Sequence, residues 1–156
     1  MAVKRLLNEL KNMDYNYFYS CSPRDDNILQ WEFSIIGPQD TLYEGGIFNG
    51  MILFTTDYPN KPPEVKFNNI LHPNIYDTGY VCISILHSGT DAYGYEKDCE
   101  RWNPSHSINS IMLSIISMLS APNFESPANV NASVMWKNSP EEYKKIIYSM
   151  VGKSQK

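Results

Sequence analysis

An α+β domain is the fold class that the sequence predicts, on three observations. A helical apolar stripe opens the chain, short strand-like segments joined by tight turns follow, and apolar helical segments close it. The strand segments lie too close together for parallel crossovers, so they read as an antiparallel meander. With 156 residues, no linker and no internal repeat, a single domain over 1–156 is expected.

Residues 2–13 carry Val3, Leu6, Leu7, Leu10 and Met13 at helical spacing, which predicts an amphipathic helix. Lys4, Arg5 and Lys11 fall off that stripe, as a solvated face or a small basic docking surface. In ILQWEFSII (28–36), Leu29, Trp31, Phe33 and Ile35 alternate with Gln30, Glu32 and Ser34, the pattern of a half-buried strand ended by Gly37 and Pro38. IFNGMILF (47–54) reads as a second strand and Val65–Lys66–Phe67 as a short third. Between them, the prolines of YPNKPPEV (58–65) forbid a helix and stiffen the entry to the third strand. Residues 85–104 are polar and carry two glycines, and a loop this long inside a small domain points to function. Ser107 is placed to cap a helix over 107–119 whose apolar residues reach nearly all round, which predicts burial. A further helix is expected over 129–137. The last begins at Ser139, with Pro140 in its first turn and Glu142 completing a capping box.

The composition excludes several classes. A net charge of −4 with no basic run argues against nucleic acid as a partner. No stretch is long and apolar enough to span a membrane, and the opening residues are too charged for a signal peptide. Neither end carries a lipidation motif. Three cysteines make no disulfide framework and show no CxxC spacing, so a reducing compartment and a soluble intracellular, cytoplasmic protein are expected, with the nucleus also open to it.

The chemistry concentrates in HPNIYDTGYVC (72–82). A rigid polar corner, His72–Pro73–Asn74, leads into a turn at Asp77–Thr78–Gly79 and then into an apolar run holding Cys82. Cys82 is read either as a nucleophile or as a small buried hydrophobe. The histidines and cysteines have no short paired spacing, which argues against metal. A hydrolase would need an imidazole, His72 or His87, against the sulfur and an orienting group. Acyl transfer through a thioester would need an accessible thiol and an oxyanion donor, for which Asn74 is suited, unless its amide only caps the loop.

HPNIYDTGYVCISIL resembles the active-site signature of ubiquitin-conjugating enzymes, the E2 family. GPQDTLYEGGIF (37–48), DYPNKPP (57–63), ERWNP (100–104) and SMLSAPNFESPAN (117–129) resemble further family segments in the family's order. The resemblance covers essentially the whole chain. It implies the ubiquitin-conjugating fold: an N-terminal helix, a four-stranded antiparallel meander, a central buried helix and C-terminal helices. It implies that Cys82 takes ubiquitin from the activating enzyme, E1, as a thioester and passes it to a lysine with a RING-type ligase, E3. Asn74 then serves the oxyanion or orders the loop, and His72 and Pro73 hold the loop. No bound cofactor is implied, since ATP is used by the E1, and a monomer is expected. The alternatives are a non-catalytic binding module of the same fold and an enzyme for a ubiquitin-like modifier.

Cys82 and Trp102 lie twenty positions apart, and this spacing resembles the long-loop branch of the family, which includes the G-type and cell-division-cycle enzymes. The resemblance implies chain building for proteasomal degradation and an acidic active-site insertion at about 87–101. His87 and Ser126 follow that branch. Asp91, Glu96, Asp98 and Glu100 are expected near the incoming lysine. Lys4, Arg5, Pro59, Asn60, Asn103 and Pro104 match regions that meet E1 and E3, with Asn60 replacing the large apolar residue common in the family. The resemblance to the cell-division-cycle enzymes does not extend to their long acidic tail, so ligase docking that depends on such a tail is not expected. Cys99, in KDCERW, matches no charging motif, and Cys21 reads as a partly buried small residue.

Overall fold

The computed structural model describes residues 1–89 and 100–154. It contains helix α1 (Ala2–Lys11), strands β1 (Tyr19–Arg24), β2 (Asn27–Ile36), β3 (Ile47–Leu53) and β4 (Glu64–Phe67), and helices α2 (Ile108–Ser120), α3 (Val130–Asn138) and α4 (Pro140–Ser154). A 3₁₀ turn at Ser84–Leu86 falls in the expected long loop. The strands form one antiparallel sheet in the order β1-β2-β3-β4. No helix among the described residues is long and apolar enough to cross a membrane.

The alternation in β2 sets the register. Trp31, Phe33 and Ile35 are buried and meet Ile52, Gly50 and Phe48 of β3, while Glu32 between them is exposed. Val65 and Phe67 continue the apolar face on β4. Gly50 is required by close approach: a Cβ there would sit 2.2 Å from the Lys66 carbonyl and 2.6 Å from the Phe33 ring. That absence of a side chain lets Phe33 and Phe67 meet edge to face at 5.1 Å. Against this face packs α2, through Ile108, Ile111, Met112, Ile115, Met118 and Leu119.

Several expectations need correction. The residues of β1, YSCSPR, show no clean alternation, and only the family resemblance implied a fourth strand. Pro23 is accommodated because β1 is an edge strand, where a missing ladder donor is tolerated. The α1 stripe is only partly inward: Ala2 and Leu6 are buried, but Val3, Leu7 and Leu10 remain exposed. A short helix at the sheet's rim covers one line of contact, narrower than the stripe suggests. Leu113 of α2 is likewise about half exposed, so that helix is not buried all round. The Ser107 cap is present and is itself a capping box, with the Ser110 hydroxyl receiving the Ser107 N–H. At the start of α4, no hydrogen bond from the Ser139 or Glu142 side chain to the helix backbone occurs among the described residues.

Candidate active site

Cys82 lies at the end of a short backbone ladder that returns on the HPN corner. Its N–H donates to the Asn74 carbonyl at 2.9 Å, Ile75 bridges Val81, and the Tyr76 N–H donates to Tyr80. The turn between them depends on Gly79, whose φ of +100° suits glycine and where a Cβ would lie 2.3 Å from the Phe67 carbonyl. The thiol is half-buried. It opens on a cleft of about 570 Å³ whose lining includes Asn74, His87, Glu100 and Ser126.

Each residue of the corner is tied to a later part of the chain. The Leu71 carbonyl accepts from the Tyr43 and Tyr143 hydroxyls at 2.6 and 3.0 Å. The Pro73 carbonyl accepts from the Asn129 N–H at 2.9 Å. His72 is fully buried; its Nδ1 accepts from the Asn74 N–H, which leaves Nε2–H to donate to the Met118 carbonyl, both at 2.9 Å. Burial pushes its imidazole pKa down to about 4, outweighing the Met118 bond, so the ring is neutral near pH 7.

The Asn74 side chain is buried and holds the Asn123 backbone with both its nitrogen and its oxygen. Its Nδ2 donates to the Asn123 carbonyl and its Oδ1 accepts from the Asn123 N–H, both at 2.8 Å. The amide therefore clasps the 121–126 segment, with one of its two N–H donors directed at that backbone. Of the two roles considered for Asn74, loop ordering is the one its contacts display.

His87 stands beside the sulfur, with Nε2 at 3.6 Å from Cys82 Sγ. Tyr76 was missed by sequence reading. Charge on Cys82, a hydrogen bond with it and then burial raise the Tyr76 phenol above its ordinary value. The only signal available was its position three residues before Gly79 in the turn. Arg101 was also missed, hidden between Glu100 and Trp102. It is nearly buried, and its guanidinium donates to the Gly89 and Ser88 carbonyls at 2.8 and 2.9 Å. Trp102 N–H donates to the His87 carbonyl at 2.9 Å, so both ends of the 87–101 segment are joined beside the cleft. Glu100 is exposed and lines it, whereas Asp91, Glu96, Asp98 and Cys99 lie outside the described residues. Ser126 is exposed and also lines the cleft. No group of His, Cys, Asp and Glu among the described residues could hold a metal ion.

The expected partner-facing residues gather at one end of the molecule. Trp102 Nε1 donates to the Pro59 carbonyl at 2.8 Å, which sets the 58–63 loop beside the 102–106 loop. Asn60 and Pro104 are exposed there, and the Asn103 side chain accepts from Ser105. Lys4 is exposed, but Arg5 is not a free docking group. It donates to Glu9 at 3.0 Å, to the Pro104 carbonyl at 3.0 Å and to the His106 carbonyl at 2.7 Å, and it lies over the Tyr58 ring. Glu9 in turn accepts from the Tyr58 hydroxyl and from the Ile108 N–H at the start of α2. Cys21, on β1, is half-buried, and burial followed by the Glu9 charge pushes its thiol up to about 12, so it is inert as a nucleophile.

The family model for ubiquitin-conjugating enzyme matches residues 5–151. Among curated relatives, ubiquitin-conjugating enzyme E2 7 of Arabidopsis thaliana is 55% identical, over 99% of this chain and 95% of its own length. A probable ubiquitin-conjugating enzyme E2 7 of Caenorhabditis elegans is 47% identical over 99% and 96%. Ubiquitin-conjugating enzyme E2 G2 of Homo sapiens is 45% identical over 98% and 96%. A match across nearly the whole chain, on a fold in which Asn74 and Cys82 line one cleft, shows the family: the chain belongs to the ubiquitin-conjugating enzymes, the E2 acyltransferases.

Proposed function

We propose that Cys82 carries ubiquitin as a thioester and delivers it to lysine with a RING-type ligase, and that its products are polyubiquitin chains that direct proteins to the proteasome. The observation that carries this reading is the Cys82 thiol, open to the cleft while its own N–H is fixed to the clasped Asn74. In the first step the thiolate attacks the carbonyl carbon of the E1-bound thioester, and the E1 thiolate leaves. In the second an amine attacks the new thioester, the C–S bond breaks, and the amine proton passes to solvent as the amide forms. The chain holds no nucleotide in this scheme, since the E1 uses the ATP. It acts as a monomer in the cytoplasm, with the nucleus also open to it.

Asp91, Glu96, Asp98 and Glu100 are proposed to favour approach of the lysine. Replacing all four with Ala slows chain formation while sparing charging; unchanged chain formation removes that role. The deciding experiment combines E1, ATP, ubiquitin and this protein on a non-reducing gel. A shifted band abolished by reductant is expected, converted by Cys82→Ser into a reductant-resistant band and unchanged by Cys99→Ser. No band with the ubiquitin E1 overturns the reading, and a band only with a ubiquitin-like modifier and its own E1 reassigns it.

A further inference from the structure

The braces on the active-site corner converge on one side chain that sequence reading did not single out. Trp136 of α3 packs edge to face on Tyr143 with centroids 4.9 Å apart, and Tyr143 donates its hydroxyl to the Leu71 carbonyl, immediately before His72. On its other side Trp136 packs against Phe124 at 5.7 Å, and the Lys137 ammonium lies 5.1 Å from the centre of that ring. Phe124 follows Asn123, whose backbone N–H and carbonyl are the two groups clasped by Asn74. The same helix begins at Asn129, whose N–H holds the Pro73 carbonyl. Trp136 thus touches two of the routes that fix residues 71–74, Tyr143 to Leu71 and, through Phe124, Asn123 to Asn74, and Asn74 in turn fixes the Cys82 N–H.

We propose that Trp136 is a positioning residue for acyl transfer, which sets the Asn123–Asn74 clasp, and through it Cys82, from 54 positions along the chain. The proposal rests on the thioester reading above. In the step concerned, the lysine nitrogen bonds to the thioester carbonyl carbon, the C–S bond breaks to release the Cys82 thiolate, and one amine proton goes to solvent. A reacting carbon held by a loosened turn meets the amine less often in attacking geometry, so transfer slows while lysine affinity does not change. Charging is less sensitive, because the E1 complex holds the incoming thioester from its own side.

The test uses the full chain, charged with ubiquitin, purified from E1 and mixed with free lysine at increasing concentration and pH. Trp136→Leu is expected to charge normally, to lower the maximal discharge rate about tenfold, and to leave the half-saturating lysine concentration unchanged. Trp136→Phe keeps a ring against both neighbours and restores most of the rate. Phe124→Leu breaks one route and gives a smaller loss, and combined with Trp136→Leu it adds less than its separate effect. Circular dichroism at the assay temperature confirms that each variant is folded. Discharge of charged Trp136→Leu at the parent rate overturns the proposal, as does failure of Trp136→Phe to restore it. If the parent chain cannot be charged, the thioester reading fails instead. If Trp136→Leu does not fold, Phe124→Leu and Tyr143→Phe decide: parent-like discharge in both overturns the proposal.

Discussion

Two regions of this molecule are knotted by hydrogen bonds, and they use opposite chemistry. At the end formed by α1, Arg5 and Glu9 tie that helix to the 58–63 loop, the 102–106 loop and the start of α2. At the active-site corner the ties are neutral: a doubly bonded amide, an uncharged imidazole and backbone carbonyls. Charge-assisted bonds hold strongly where neighbouring charge does no harm. If Cys82 cycles through a thiolate as proposed, a corner beside it is better fixed by groups that do not titrate near neutral pH. A polar residue's type therefore does not reveal what it contacts: Arg5 braces three segments, and Asn74 clasps a loop.

The largest expected effect breaks the charged knot. Glu9→Ala strands the Tyr58 hydroxyl, the Ile108 N–H and one arm of Arg5, at a cost of about 3 kcal/mol in urea denaturation. A cost near zero would show that this knot is ornamental. The neutral knot is tested by acid. The folded His72 pKa, about 4, lies below the unfolded value near 6.5, so the folded chain binds fewer protons in that window. Its stability is complete above pH 6.5 and is lost as pH falls towards 4, on the order of 3 kcal/mol. His72→Gln lowers stability at pH 7 but flattens that dependence, and an equally steep curve in the variant would assign the acid sensitivity elsewhere.

Asn74→Ala removes two bonds and is expected to cost about 2 kcal/mol of stability as well as slowing discharge. Were the amide an oxyanion donor alone, stability would stay at the parent value. Asn74→Asp distinguishes further: it still accepts the Asn123 N–H but sets a carboxylate against the Asn123 carbonyl, so it is expected to fare no better than Ala. The smallest effect is Arg5→Lys, which keeps the charge and loses the fork that reaches two carbonyls, at about 1 kcal/mol. Charging by E1 should hardly change, because the exposed cation of α1 at this point is Lys4.

Local pattern made the first half of the fold legible. Alternation in ILQWEFSII placed Trp31, Phe33 and Ile35 inward, and Ser107 announced α2. YSCSPR did not announce β1, because an edge strand with one buried face and a proline carries little periodicity. The site divides in the same way. The HPN corner, the turn glycine and Cys82 are adjacent in sequence and were readable together. The Asn74 amide meets residue 123 and the Arg5 guanidinium meets residues 104 and 106, contacts made only when distant segments meet, so spacing held no sign of either. Tyr76 and Trp136 read as ordinary aromatics until their neighbours were placed.

The Arg5–Glu9 knot also has a consequence for biosynthesis. Helix α1 has ten residues, too few to hold a helix alone in water. Its hydrogen-bond partners at 104, 106 and 108 lie 99 to 101 positions further on. A chain emerging from the ribosome N-terminus first must therefore extrude more than two thirds of its length before these bonds can form, and until then the helix has β2 and Tyr58 to pack upon. Until then the Arg5 guanidinium lacks both of its carbonyl acceptors, so this knot is a late-forming part of the fold during synthesis.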